Sequence, residues 1–350
     1  MIVKSSIRDY SVLFSDSNYI KNMINNYEFL IVDSKVYNLH SDLFSDIEKE
    51  KILTIEAIES NKDLSKCTDY IELLIKNGLK RGNTIAGIGG GVVQDIVGFI
   101  SSIIYRGIDW YFFPTTLLAQ CDSCIGGKTS INFKGYKNLI GNFNPPKGIF
   151  LCNKFLSTLE EEQIQSGLGE IIKIAFLDKQ KRIKDYELIN AINTCQVANS
   201  LIQRALLIKK EIIEIDEFDK GLRNIMNYGH TFGHAIETLT AYKIPHGIAV
   251  GLGIAIANKI SNNSTIENIF PDSMSTYLKF NKKYTSILFL LYNNKKYIKI
   301  LLMDKKNTTK DNVNCILPNE SGDIVKKTIE KKYFEINLEE IVRGLYDNSI

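Results

Sequence analysis

Thr84-Ile-Ala-Gly-Ile-Gly-Gly-Gly-Val-Val-Gln-Asp95, continuing through an apolar run to Tyr105, is the stretch that sets the fold class. Thr84 to Ile88 reads as a short buried strand, Gly89-Gly90-Gly91 breaks it, and Val92 to Tyr105 reads as an apolar helix. Strand, glycine turn and helix together form the arrangement that binds a dinucleotide or a phosphate. The glycines let the backbone approach the ligand, and the helix N-terminus offers free N–H groups to an anion. The stretch is not a full G-x-G-x-x-G, and glycine turns also join strands for steric reasons alone.

The flanking sequence extends the α/β pattern. Glu28 to Asp33 and Ile52 to Ile55 read as strands, and Leu64 to Leu79 as an amphipathic helix closed by Gly82. Trp110 to Phe113 and Ile149 to Cys152 read as further strands. Asp33, at a strand end, either holds a ribose hydroxyl or caps the turn. Gln120 to Asn144 is long, polar and without periodicity, which predicts a functional loop. Within it, Lys128 follows Gly126-Gly127 and suits an anionic group, but residue 122 is Asp, so this is not a Walker A loop.

From about Lys154 the pattern turns helical, over 160–177, 183–194, 197–215, 224–239 and 248–260. The expectation is an α/β plus all-α chain, with a Rossmann-like nucleotide-binding domain over 1–152 and a helical domain over 153–350. Of four histidines, His230, His234 and His246 fall close together. His230 and His234 are four apart, hence on one helix face, and imidazole is the commonest zinc ligand. A plain pair of helix histidines accounts poorly for such clustering, and spacing alone makes both His230 and His234 metal ligands.

Composition excludes other classes. With 350 residues, 44% apolar, 24% charged and a net charge of +3, the chain reads as an ordinary globular protein with no nucleic-acid or membrane partner. No apolar run reaches the roughly 20 residues that span a bilayer, and no charged-then-apolar leader opens the sequence. The expected location is cytoplasmic. Six cysteines are too sparse for a disulfide scaffold, and Cys121-x-x-Cys124 has no second C-x-x-C to complete a metal site.

Eleven blocks in order carry a resemblance. They are Glu59-x-x-Lys62, Gly89 to Asp95, Tyr105-Arg106-Gly107, Pro114 to Ala119, Asp122-Ser-Cys-Ile-Gly-Gly-Lys-Thr129 and Lys137-Asn-Leu-Ile-Gly141, then Gly167-Leu-Gly-Glu-Ile-Ile-Lys173, Gly221-Leu-Arg223, Asn227 to Glu237, His246-Gly247 and Asp304-Lys-Lys306. Together they resemble the 3-dehydroquinate synthases of the sugar-phosphate cyclase family. The resemblance implies that Glu170, His230 and His246 ligate a divalent metal, zinc or cobalt, while His234 faces the substrate. It implies NAD against Asp33, Glu59, Lys62, Gly90, Gly91, Asp95, Thr115, Thr116, Lys137, Phe155 and Thr158. Phosphate would meet Lys128, Asn138, Asn227, His234, one lysine of Lys305/Lys306, and Arg106 from a neighbouring subunit, which implies a homodimer. Arg223 and Lys209 suit the substrate carboxylate. Asp122 and Lys173 would orient hydroxyls.

The implied reaction is that of a phosphate-eliminating lyase of the shikimate pathway, which makes aromatic amino acids. It converts 3-deoxy-D-arabino-heptulosonate 7-phosphate to 3-dehydroquinate by transient NAD reduction, elimination and aldol closure. Gln94 stands where these synthases commonly carry glycine, and Ile58, Cys121, Cys124 and Ser130 to Phe133 also depart from their pattern. A paralogous cyclase acting on sedoheptulose 7-phosphate is therefore the second reading. Asn227, His234 and Lys209 match the dehydroquinate-forming pattern and weigh against it. A metal-dependent alcohol dehydrogenase shares the two-domain plan but needs no anion cradle of Arg106, Lys128 and Arg223.

Overall fold

A computed structural model describes every residue except 264–265, 267–268, 304–310, 348 and 350. It divides into two compact units, Met1–Glu160 and Glu161–Ile350. The first holds nine strands: β1 Ile2–Val3, β2 Tyr10–Phe14, β3 Phe29–Asp33, β4 Ile52–Ile55, β5 Thr84–Gly89, β6 Asp109–Pro114, β7 Lys128–Phe133, β8 Tyr136–Phe143 and β9 Gly148–Leu151. Seven of them form one sheet in the order β1-β2-β9-β6-β5-β3-β4, parallel throughout except at the β1–β2 edge. Strands covered on both faces must be apolar at every position, which is why β3, β5 and β9 read as unbroken apolar runs. Helices α1 Ser17–Ile24, α2 Ser34–Leu39, α3 Leu64–Lys76 and α4 Gly91–Ile103 complete the unit. Leu30, Val32, Ile88, Phe113 and Phe150 form its core with Phe155.

The structure corrects one expectation here. Gln120 to Asn144 is not an irregular loop: Ala119–Ser123 is a π-helical turn, and β7 and β8 form an antiparallel hairpin. The hairpin escapes sequence reading because nearly every residue of β8 is exposed, so no apolar alternation marks it. The first unit also continues past Cys152, to Glu160. Phe155 is buried in its core, His40 Nε2 lies 3.1 Å from Thr158 Oγ1, and Lys154 pairs with Asp42 at 2.7 Å.

The second unit opens with α5 Glu161–Leu177, α6 Asp185–Thr194, α7 Asn199–Ile215, α8 His230–Leu239 and α9 His246–Ser261. Helices over Pro271–Phe280, Lys282–Leu291 and Asn294–Leu302, a hairpin of Asn312–Pro318 with Ile324–Glu330, and a last helix Lys331–Asp347 follow. α9 is buried almost all round, as its Gly/Ala/Ile composition demands of a central helix. The expected helix over 224–239 is two pieces: a 3-10 segment Leu222–Asn227, then α8. Gly229 sits between them at φ +77°, and a Cβ there would lie 2.7 Å from Val250 O on α9. α5 meets α9 just as closely. A Cβ on Gly169 would lie 2.0 Å from Gly247 O, so only paired glycines allow the approach.

Candidate functional site

That glycine contact places Glu170, the residue after Gly169, beside His246, the first residue of α9. His230 opens α8 just after Gly229. Glu170 Oε1 lies 3.2 Å from His246 Nε2 and 3.6 Å from His230 Nε2. Zinc bonds of about 2.0–2.2 Å at tetrahedral angles put neighbouring ligand atoms about 3.3 Å apart, so Glu170 Oε1 stands near ligand spacing from each ring. The outer ring nitrogens are held as well: His246 Nδ1 is 3.3 Å from Glu237 Oε2, and His230 Nδ1 is 3.3 Å from Tyr228 O. Such outer contacts fix tautomer and ring plane in metal sites. His234 belongs to the same cluster, with nitrogens of all three histidines within 4.8 Å of one another, but it is exposed. Two candidate ligand sets therefore share this place, the three histidines and Glu170 with His230 and His246.

Charge in the cluster is strongly coupled. Lys173 Nζ, one turn along α5, lies 2.5 Å from Glu170 Oε2, and both side chains are almost fully buried. Burial favours the neutral acid, but the Lys173 ammonium and the His246 ring outweigh it and hold the Glu170 carboxyl well below its usual range. Burial likewise works against a His246 cation, yet the Glu170 and Glu237 carboxylates push its pKa up. His230 goes the other way: burial, reinforced by Lys173, keeps its imidazole neutral. The donor set of one carboxylate and two imidazoles, with a cation favoured among them, fits a divalent ion.

Three more candidates line the neighbouring elements. Lys209 on α7 and Arg223 on the 3-10 segment are buried, and Asn227 lies one turn beyond Arg223. Lys305 and Lys306 lie outside the described residues.

In the first unit, Gly90 caps α4 and Gly91 opens it, and nothing lies within 4 Å of where a Gly91 Cβ would stand. A Cβ on Gly90 would instead meet Thr116 Cγ2 at 2.9 Å, while Thr115 N donates to Gly89 O. Four cofactor and phosphate candidates hold one another. Lys62 Nζ lies 2.7 Å from Asp95 Oδ2, 2.8 Å from Asn138 Oδ1 and 3.8 Å from Glu59 Oε1. Burial pushes the Asp95 carboxyl up, with Lys62 opposing. Asn132 ties the hairpin to the same group, donating to Glu59 Oε1 at 2.9 Å and accepting from Asn138 N at 2.9 Å.

Of the two roles open to Asp33, the cap is formed: Oδ1 accepts from Lys35 N at 3.0 Å. Phe155 is a core residue and Thr158 a partner of His40. Asp122 is buried on the π-helical turn. Gln94 clasps that turn, donating to Ser123 O at 2.7 Å and accepting from Ser123 Oγ at 2.6 Å. Lys128 and Lys137 are exposed on the hairpin, and Arg106 is exposed on a turn where its φ is +67°. The orienting roles of Glu237 and Asn132 were missing from the sequence reading. For Glu237 a signal existed: it follows His230 by seven residues, two turns along the same face.

Comparison with known proteins bears on this arrangement. The pattern described as 3-dehydroquinate synthase N-terminal matches residues 52–166, and the C-terminal pattern matches 167–307. The 3-dehydroquinate synthase of Clostridium tetani is 36% identical over 91% of this chain and 85% of its own length. That of Thermococcus kodakarensis is 36% identical over 84% and 82%. Among solved structures, 2-deoxy-scyllo-inosose synthase complexed with carbaglucose-6-phosphate, NAD+ and Co2+ superposes with a TM-score of 0.80 at 25% identity, covering 98% of this chain and 99% of that one. Glycerol dehydrogenase from Schizosaccharomyces pombe, at 11% identity and a TM-score of 0.58 over 100% and 93% of the chains, shares the fold. With both halves matched and relatives this close over most of their length, the chain belongs to the 3-dehydroquinate synthase family.

Proposed function

We propose that the protein converts 3-deoxy-D-arabino-heptulosonate 7-phosphate to 3-dehydroquinate with release of phosphate. Its cofactors are NAD and a divalent ion, of the kind found in the 2-deoxy-scyllo-inosose synthase structure. The observation that carries the reading is Glu170 Oε1 at ligand spacing from both His230 Nε2 and His246 Nε2. NAD supplies reversible hydride acceptance, and the ion polarises substrate hydroxyls.

The remaining work falls to side chains of this chain. Glu170, His230 and His246 hold the ion, with Glu237 fixing the plane of the His246 ring. Lys173 keeps Glu170 ionised and would donate to a substrate hydroxyl, and Asp122 would accept from one. Arg223 and Lys209 bind the substrate carboxylate, the guanidinium taking both oxygens. Asn227 and His234 receive the phosphate, as do Asn138 and Lys128. Arg106 reaches it from the second subunit of a homodimer, and Lys305 or Lys306 completes the cradle. Fixed cations and amides around a departing phosphate stabilise the charge that develops on it. The Gly89–Gly91 turn and the first N–H groups of α4 would hold the pyrophosphate of NAD. The reaction class is carbon–oxygen lyase and the location cytoplasmic; among the described residues no helix is long and apolar enough to cross a membrane.

Gln94, bonded to Ser123, is one of the departures that keep the second reading in the test. Purified protein, NAD and Co2+ are incubated with the heptulosonate phosphate and, separately, with sedoheptulose 7-phosphate. Phosphate release with formation of 3-dehydroquinate supports the proposal. Turnover of the sedoheptulose phosphate alone makes the protein a paralogous cyclase, and accumulation of reduced nicotinamide makes it a dehydrogenase.

A further inference from the structure

The chain leaves α7 at Ile215 and re-enters regular structure at Leu222, with Arg223 next. One carboxylate closes the turn between them. Asp216 Oδ1 accepts the N–H of Lys220 at 2.9 Å, and Oδ2 accepts the N–H of Gly221 at 2.8 Å and of Arg223 at 2.9 Å. Helix starts leave N–H groups such as that of Arg223 without intrahelical partners, and here one side chain takes it together with those of Lys220 and Gly221 just before the segment. The guanidinium of Arg223 folds back onto the same turn, donating from Nη1 to Glu217 O, and the side chain is buried. Asn224 ties the far side, its N–H and its side-chain amide both reaching Gly221 O, at 3.1 and 2.9 Å. Asn227 Nδ2 donates to Asn224 O at 3.1 Å, so Arg223 and Asn227 ride on one hydrogen-bonded body.

We infer that Asp216 is a positioning residue for recognition of the substrate's carboxylate: it locks the Glu217–Arg223 turn so that the guanidinium plane is set before the ligand arrives. A bidentate pair between guanidinium and carboxylate demands a fixed plane, and an arginine on a loose turn must lose several rotamers to reach it. The inference deepens the proposed function and rests on Arg223 binding that carboxylate.

The test measures phosphate release against heptulosonate phosphate concentration, with NAD and Co2+ saturating, for Asp216→Ala, Asp216→Asn, Arg223→Lys and the double variant Asp216→Ala/Arg223→Lys. Arg223→Lys, which loses the two-oxygen fork, raises KM about 30-fold. Asp216→Ala raises KM about tenfold with kcat within about threefold, and Asp216→Asn, keeping one acceptor oxygen, falls between it and the parent. The double variant stays within about twofold of Arg223→Lys, because both changes remove one interaction. Cobalt content and KM for NAD stay at parent values, as a general fold defect would not allow.

If Arg223→Lys raises KM while both Asp216 variants leave it unchanged, the inference is overturned and the proposed function stands. If the Asp216 effect adds in full to that of Arg223→Lys, or arrives with lost cobalt and lowered kcat, Asp216 is a determinant of folding only and the inference is again overturned. If Arg223→Lys leaves KM unchanged, the carboxylate role fails and takes the inference with it. Should Asp216→Ala not fold, Asp216→Asn decides by the same comparison.

Discussion

Replacing Glu237 by alanine isolates what holds the proposed metal centre in shape. Glu237 does not touch the ion position; it lies 3.3 Å from the far nitrogen of His246. Without it, the ring loses the contact that fixes which nitrogen is free to ligate and the plane in which it points. It also loses the carboxylate that makes the ring more basic, and a more basic nitrogen is a stronger donor. Loss of an outer partner of this kind weakens metal affinity about 10- to 100-fold, or about 1.4–2.7 kcal/mol. The His246 side chain is 36% exposed, so water can take part of the place of the carboxylate, and the lower half of that range is expected. Glu237→Gln keeps an acceptor oxygen and should lose less than Glu237→Ala. The assay is competition for Co2+ or Zn2+ with a chromogenic chelator, read against His246→Ala, which removes a ligand outright. Affinity of Glu237→Ala within about twofold of the parent, beside a large loss for His246→Ala, would refute the orienting role.

Two further substitutions probe the frame. Gly169→Ala forces a methyl to within 2.0 Å of Gly247 O, so α5 and α9 must separate. Such overpacking costs about 1–3 kcal/mol, and the same shift carries Glu170 away from His246. A lowered melting temperature together with weaker metal binding is expected, and parent behaviour in both would mean that the helices do not meet at these glycines. In the first unit, Lys62→Met leaves Asp95 and Asn138 without the ammonium that joins them. A loss of about 1–3 kcal/mol in urea unfolding and a raised KM for NAD follow from stranding a mostly buried carboxylate. A parent-like urea midpoint would show that the Lys62 network does not hold the hairpin.

What could be read from the sequence divides along a physical line. The β5–α4 unit was legible because a strand buried on both faces and a buried helix leave continuous apolar runs with glycines between them. The histidine cluster was legible because histidine is scarce in this chain. His234 was legible beside His230 from spacing, whereas Glu170 was not. Glu170 lies 60 residues upstream of His230, and only the glycine contact between α5 and α9 brings it to the rings. No spacing rule spans such a distance, and the family resemblance supplied the ligand set instead. The β7–β8 hairpin was hidden because its outer strand faces water on both sides, so its order comes from side-chain bonds such as Asn132 to Glu59. The break at Gly229 was missed because a left-handed residue leaves the surrounding apolar periodicity intact.

Anomalous diffraction from Co2+-loaded crystals tests the metal centre most directly. The expected result is one strong peak about 2.0–2.2 Å from each of Glu170 Oε1, His230 Nε2 and His246 Nε2, with His234 outside bonding distance. A peak bonded to His230 and His234 with Glu170 unbound, or no peak at this cluster, would contradict it.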